Sequence, residues 1–488
     1  MPVPRAFKTD ESFLEKIAIG ATGTRRIFGD LRSAGHDPVE LERGSMSFKI
    51  WKAIKIKRVR VPDILCLRCG RRVESRAKTK LELSMSHSTS NPERGWDFGL
   101  DERDRIAFVR CRQTGQGPLD WSASSLVQYV PVSAMRKAWR AKQAKASQRK
   151  GAEEGFEVRV TWPAAIAPAP LVVDEVTPEL IRCRRVDDDR RVSVRLKRNA
   201  VTLKALVKPG DKVQSDQVIA SVVPVTIRWD CSKGANAKTY IELARSSALP
   251  DRYTAVKALG RFEDQAAAKT LQERVQDDRE HIYVRVDAAA GLMRRGHPTG
   301  REFLAATLRD EYLENRLEAT IVLGEVAMPE AAELLMDTVR DSQQHPEIRA
   351  GAAWALGEIG AKEALPVLVD SFTALDLPLK IEAARALAKL ARKHLPEVLQ
   401  TFPEASPEQR PGVAWALSKA GGFTVPQLLP ALVDDDARHW VAYMIGTQNH
   451  DAMLPDIEAL AAKDPEVYFA VTVLWKIMAS WVYGLEEY

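Results

Sequence analysis

Between Arg58 and Ser88 the chain reads RVRVPDILCLRCGRRVESRAKTKLELSMSHS. Two carboxylates in this stretch, Asp63 and Glu74, are each followed by cations. Side chains at i, i+2 and i+4 of an extended strand share one face, so Glu74, Arg76 and Lys78 are expected to point the same way. Asp63, at the end of the preceding strand, would approach them across a hairpin. Two carboxylates beside a cation are what metal-assisted phosphodiester hydrolysis requires. Asp63 and Glu74 would hold Mg2+ or Mn2+, hard cations that prefer oxygen ligands. Such a metal activates water and neutralises the charge developing on phosphorus, while Lys78 orients or deprotonates the nucleophile and Arg76 orients a phosphate.

Inside the same hairpin lies Cys66-Leu67-Arg68-Cys69-Gly70. CxxC spacing supplies one edge of a tetrahedral Zn2+ site. Two free thiols and a redox pair are the other readings of it. His36, His87 and Cys111 fall in the same predicted domain and are the candidates to complete a zinc site. Cys183 and Cys231 fall in the next domain. If zinc binds, its expected role is to staple the hairpin that carries Asp63 and Glu74.

Charge marks the same region. From Lys49 to Lys80 there are 12 basic residues against two acidic ones, in a chain whose net charge is only +6. A second basic cluster runs from Arg136 to Lys150 without an acid. Clustering of this kind is the footprint of a polyanion partner. Nucleic acid is the expected one, DNA ahead of RNA. Lys52, Lys55, Lys57, Arg58, Arg60, Arg71, Arg72 and Lys80, with His87, are the residues expected to contact it. No phosphate-binding GxxxxGK[ST] loop and no GxGxxG segment occurs, which disfavours a nucleotide-driven motor or a dinucleotide enzyme.

The elements that must position these groups follow from pattern. Residues 11–35 read as a helix ended by Gly35, and alternating segments at Ile54–Val61, Val73–Leu83 and Arg105–Cys111 read as strands. A helical tail is expected around Met135–Lys150. Helix, strands and acids in this order resemble the PD-(D/E)xK nuclease superfamily. Pro62-Asp63 matches its first motif and Glu74 its second acid. Arg76 stands where the family has lysine, so Lys78 would have to replace it; Arg does not deprotonate in proteins. Glu40 and Glu42 are candidates for the glutamate that the family often adds near the leading helix. The resemblance implies a restriction-endonuclease-like α+β fold and an endonuclease active in bacterial defence or DNA repair.

The chain divides, on this reading, into a basic α+β domain at 1–160, a β-rich domain at 171–247 and an α-solenoid at 248–488. WPAAIAPAP, at 162–170, reads as the linker. In the middle domain Val207-Lys208-Pro209-Gly210-Asp211 resembles the first half of a biotinyl/lipoyl-type hybrid barrel. Asp216 stands where a second turn glycine is usual, and no Met-Lys-Met hairpin follows, so the domain is expected to be a spacer without a carried cofactor.

The C-terminal half repeats a formula in which a basic residue precedes a large aliphatic one by seven positions. The pairs are Arg252/Leu259, Arg285/Leu292, Arg316/Leu323, Arg349/Leu356, Lys380/Leu387, Arg410/Leu417 and Arg438/Ile445. A period near thirty residues is one helix–turn–helix unit that must stack on its neighbours. The Ala- and Gly-rich units resemble HEAT repeats of the phycobilin-lyase-like kind. The recurrent Arg is expected to be structural, Trp354 and Trp415 to be core residues, and Gly357 and Gly360 to end their helix.

With no signal-peptide pattern, no apolar run long enough to span a membrane and five scattered cysteines, the expected location is the cytoplasm. The first functional reading is a nucleic-acid-binding protein, a metal-dependent nuclease on a HEAT-like scaffold. The alternative is a non-catalytic HEAT-repeat adaptor that binds a protein partner and nucleic acid.

Overall fold

The computed structural model describes residues 10–42, 45, 54, 59–115, 117, 119–148, 157–198 and 201–484. Its contacts form two compact units. The first holds the described residues up to Phe262 except Ile54; the second holds Ile54 and the residues from Glu263 onward.

The first unit opens with helix α1 (Asp10–Ser33), followed by strands β1 (Pro38–Glu40), β2 (Ile64–Cys66), β3 (Arg72–Lys78), β4 (Ser84–Ser88), β5 (Arg105–Gln113) and β6 (Trp121–Pro131). One five-stranded sheet has the order β1-β2-β3-β5-β6. β1, β2 and β3 pair antiparallel, β3 and β5 pair parallel, and β6 returns antiparallel to β5. Strand alternation explains its two faces. Val73, Ala107, Val109, Val127 and Tyr129 face α1, where Ile27 and Leu31 complete a closed core. Thr24 of α1 donates to the Ser75 hydroxyl at 2.9 Å on that same side. Glu74, Arg76 and Lys78 therefore stand on the opposite face, as their spacing predicts. The other face also carries Ile106 and Phe108, which pack with Leu83, Met85, Trp96 and Trp162.

Helix α2 (Val132–Arg140) follows β6, and the expected helical tail stops there. Lys145–Gln148 is instead a strand, part of a small sheet with Glu157–Thr161 and β4. The Ala/Pro stretch expected to be a linker contributes a strand too. Ala164–Ile166 pairs with Val218–Ser221, and Trp162, Ala165 and Ala167 are buried. Alanines are small enough to lie beneath a neighbouring strand, which composition alone does not reveal. Strands between Leu171 and Ser221 enclose a second core of Leu171, Val173, Ile181, Cys183, Val213 and Ile219. Asp216 adopts φ +68°, the left-handed conformation of a turn glycine. Its carboxylate accepts from Arg110 at 2.7 Å and from Arg112 at 3.2 Å.

The second unit is all helical. Helices Ile282–Met293, Leu313–Val326, Pro346–Ile359, Leu377–Ala391, Arg410–Ala420 and Asp435–Gly446 carry the aliphatic anchors, all fully buried. The recurrent Arg is structural. Arg285 and Arg349 donate from Nε to the Val275 and Val339 carbonyls at 2.9 Å, and Arg349 also pairs with Asp376 at 2.8 Å. Arg410 grips Asp434, and Arg438 grips Asp464, each through two bonds. Gly357 does not end its helix: a Cβ there would lie 2.6 Å from Ala386 Cα, so glycine permits close helix contact. Gly360, at φ +76°, is the terminator. Trp354 and Trp415 are half-buried, not core. Trp354 and the helix residues Leu317, Ile321 and Ile348 pack around Ile54, whose N–H donates to Glu347 at 2.7 Å.

Candidate functional site

The hairpin of β2 and β3 places the two acids opposite each other. Ile64 pairs with Val73, so the next position of the register sets Asp63 against Glu74. The Asp63 carboxylate is buried and accepts the Ser75 backbone N–H at 2.6 Å. Burial, and then the neighbouring charges of Glu74 and Glu42, push its pKa well above the usual carboxylate range. Glu74 is raised as well, chiefly by burial, against the pull of Arg76, which it pairs with at 2.6 Å. Buried carboxylates with raised proton affinity are groups that a cation would stabilise.

Glu74 and Arg76 border a cleft of about 260 Å³, whose walls also include Glu42, Arg60, His87 and Arg94; Asp63 is buried and is not part of its lining. Glu42 reaches it because its backbone N–H and that of Leu41 donate to the Asp63 carbonyl, at 3.3 and 2.8 Å. Glu40, the other candidate glutamate, accepts a hydrogen bond from Ser45 at 3.0 Å. Arg60 is held at the rim by a close approach: a Cβ on Gly99, itself at φ +80°, would lie 2.4 Å from the Arg60 carbonyl oxygen. His87 Nδ1 accepts the Trp96 N–H at 3.2 Å. That bond leaves the proton of the neutral ring on Nε2, where it can donate to an anionic oxygen.

Two expectations fail here. Lys78 does not border the cleft; its ammonium donates to the Ser84 carbonyl at 2.9 Å and to the Ser84 hydroxyl at 3.3 Å. It shares the face of Glu74, but β3 runs past the cleft before reaching it. Arg72 is not a surface contact for nucleic acid. It is buried and pairs with Asp104 through three short bonds of 2.7–3.2 Å. It shares the strand face of Glu74, but Asp104, just ahead of β5, pairs with it and neutralises it. Arg71 is half-buried and Lys80 exposed. Lys52, Lys55, Lys57 and Arg58 lie outside the described residues, as does most of the strand expected at Ile54–Val61.

Behind the acids, the β2–β3 turn carries Cys66 and Cys69. Cys69 Sγ lies 3.6 Å from His36 Nδ1, and Cys66 Sγ lies 3.8 Å from Cys231 Sγ. The Asp37 N–H points at Cys66 Sγ from 3.4 Å. A hydrogen bond from Cys69, first of all, draws the Cys66 thiol well below its usual range. Sequence reasoning ranked His36 among the candidate partners of the CxxC pair but assigned Cys231 to another domain. The fold returns it: Cys231 N–H donates to the Ala34 carbonyl at the end of α1. The other two candidates are elsewhere. Cys111 is buried near the Ile19 carbonyl and pushed up to about 11 by burial, and His87 is on the cleft.

Comparison with known proteins bears on the helical half. A family model described as HEAT repeats matches residues 302–376, and one described as PBS lyase HEAT-like repeat matches residues 251–277. The C-terminal half is a HEAT-repeat solenoid. Among solved structures, human deoxyhypusine hydroxylase in complex with glycerol is 20% identical, with 43% of this chain and 95% of that chain covered and a TM-score of 0.23. The complex of CpcE and CpcF of phycocyanin lyase from Nostoc is 18% identical, covering 50% of this chain and 96% of that chain, at a TM-score of 0.26. The karyopherin Kap121p bound to the SUMO protease Ulp1p is 13% identical, covering 49% and 32%, at a TM-score of 0.33. No curated protein matches the chain. Nothing in these comparisons supports the nuclease-like part of the sequence reading. Among the described residues no helix is long and apolar enough to cross a membrane.

Proposed function

We propose that this protein is a HEAT-repeat scaffold whose helical half holds a protein partner and whose N-terminal unit binds nucleic acid, duplex DNA ahead of RNA. The repeat architecture supports the scaffold part: stacked helix pairs make extended binding surfaces. The observation that carries the nucleic-acid part is the cleft, where Arg60, Arg76 and Arg94 stand with Glu42 and Glu74, and the His87 Nε2–H is a further donor. Guanidinium groups match phosphate in charge and geometry. Binding of labelled duplex, measured by fluorescence anisotropy across salt concentrations, tests this. Affinity that falls with salt and falls further in Arg60→Glu supports the reading; affinity indifferent to both refutes it.

One arrangement favours a hydrolytic version. Asp63 and Glu74 oppose each other in register; burial raises the proton affinity of both, and the Glu74 charge adds to that of Asp63. Their donor set fits Mg2+ or Mn2+, which when bound would polarise a phosphate and lower the pKa of water. In that version Asp63 and Glu74 would hold the cation and Arg76 would bind a phosphate oxygen. His87 would donate from Nε2 to the leaving oxygen, while Lys78, tied to Ser84, would take no part. Cleavage of single-stranded and duplex substrates with each metal tests it. Asp63→Asn and Glu74→Gln should each lower the rate by about a hundredfold or more while duplex binding persists. Wild-type protein that binds but never cuts leaves the adaptor reading standing alone.

A further inference from the structure

We propose that His36, Cys66, Cys69 and Cys231 form a structural Zn2+ site. Their ligand atoms, three sulfurs and one nitrogen, all lie within 4.8 Å of one another, and theirs is the one such group of His, Cys, Asp and Glu among the described residues. The spacing fits a metal closely. With Zn–S of about 2.3 Å and Zn–N of about 2.0–2.1 Å, a tetrahedron has edges of about 3.8 Å between sulfurs and about 3.6 Å between sulfur and nitrogen. The separations in the protein are 3.8 Å for Cys66–Cys231 and 3.6 Å for Cys69–His36.

The surroundings are those of a metal site. His36 Nε2 lies 2.8 Å from the Trp229 carbonyl, so it donates there and turns Nδ1, as a lone pair, toward the sulfurs. A second bond of this kind usually orients a ligating imidazole. The Asp37 N–H points at Cys66 Sγ and would donate to a thiolate there. Tyr240 donates its hydroxyl to the Cys66 and Leu67 carbonyls, at 3.2 and 3.0 Å, and so fixes the turn between the two cysteines. A disulfide would join two of these sulfurs and leave a third with the imidazole unused, whereas a tetrahedral cation uses all four groups. His36 and Cys66 are buried and Cys69 and Cys231 half-buried, so a metal can enter from the Cys69–Cys231 side. On binding, the thiols discharge their protons to solvent and the imidazole stays neutral.

The site would join three distant stretches: the end of α1, the β2–β3 turn and the segment leading into Ala237–Leu243. It stands independently of any activity in the cleft. Protein purified without chelator should contain about one zinc per chain by elemental analysis, and one zinc should be released when a mercurial reagent titrates the thiols. Cys69→Ser and Cys231→Ser should lose nearly all of it, and Cys111→Ala should keep it. Replacement by Co2+ should give the absorption of a tetrahedral site with thiolate-to-metal charge transfer. If the cysteine variants do not fold, the wild-type zinc content and cobalt spectrum decide. Absence of stoichiometric zinc from the wild type, an octahedral cobalt spectrum, or zinc retained in a folded Cys231→Ser protein would overturn the assignment.

Discussion

Asp63 and Arg72 sit on neighbouring strands, and each is buried for a different reason. Arg72 has its counter-charge beside it in Asp104, and the pair is closed off from water. Removing one partner of such a pair leaves an uncompensated buried charge and costs about 3–5 kcal/mol. Arg72→Met should therefore lower the stability of the N-terminal unit by roughly that amount in urea titration, and Arg72→Met combined with Asp104→Leu should recover most of it. Among the described residues no salt bridge to Asp63 is formed; Glu74 and Glu42 repel its charge, and Arg76 only partly offsets them. If a cation is what offsets that repulsion, Mg2+ should raise the melting temperature of the wild type. The same Mg2+ should leave Asp63→Asn unchanged. An equal shift in both would mean the cation binds elsewhere.

At the scale of elements, the repeats are locked twice, by Arg to acid and by glycine to helix. Gly357 lets its helix approach Ala386, and a side chain there must push the helices apart. Gly357→Val should destabilise the second unit by about 1–3 kcal/mol through overpacking, read as a lower midpoint of the helical signal. The charged locks are sensitive to acid. Arg410 holds the pKa of Asp434 below its ordinary value, and Arg438 does the same for Asp464. A carboxylate with a depressed folded pKa contributes stability that is present above its unfolded value and is lost as pH falls through the folded one. The wild-type helical unit should thus lose stability below about pH 4. An Arg438→Met variant should be less stable at neutral pH and should converge on the wild type in acid; a constant gap at every pH would contradict this. Much of this layer was legible in the sequence, because repeats stack on neighbours close in the chain and the periodic Arg and aliphatic positions are set locally. The same locality puts Glu74 and Arg76 on one face of β3. Spacing does not encode the burial of Arg72 or the place of Cys231, because their partners Asp104 and Cys66 reach them by tertiary approach. Ala164–Ile166 reads as linker in the sequence because small apolar residues carry no strand signature until a neighbouring strand covers them.

The whole molecule combines a HEAT-repeat half that offers surface with an α+β unit that concentrates charge. A net charge of +6 over 488 residues understates this, since Arg60, Arg76 and Arg94 gather at one cleft. A polyanion bound there would release counterions, and its affinity would carry that number as a salt slope. The most direct test is duplex DNA binding measured over a salt series for the wild type and for Arg60→Glu/Arg94→Glu. The account predicts a linear log–log dependence, steeper by about 0.9 for each phosphate contacted, and a shallower slope with weaker binding in the double variant. Binding that ignores salt, or a double variant that binds with wild-type affinity and slope, would contradict it.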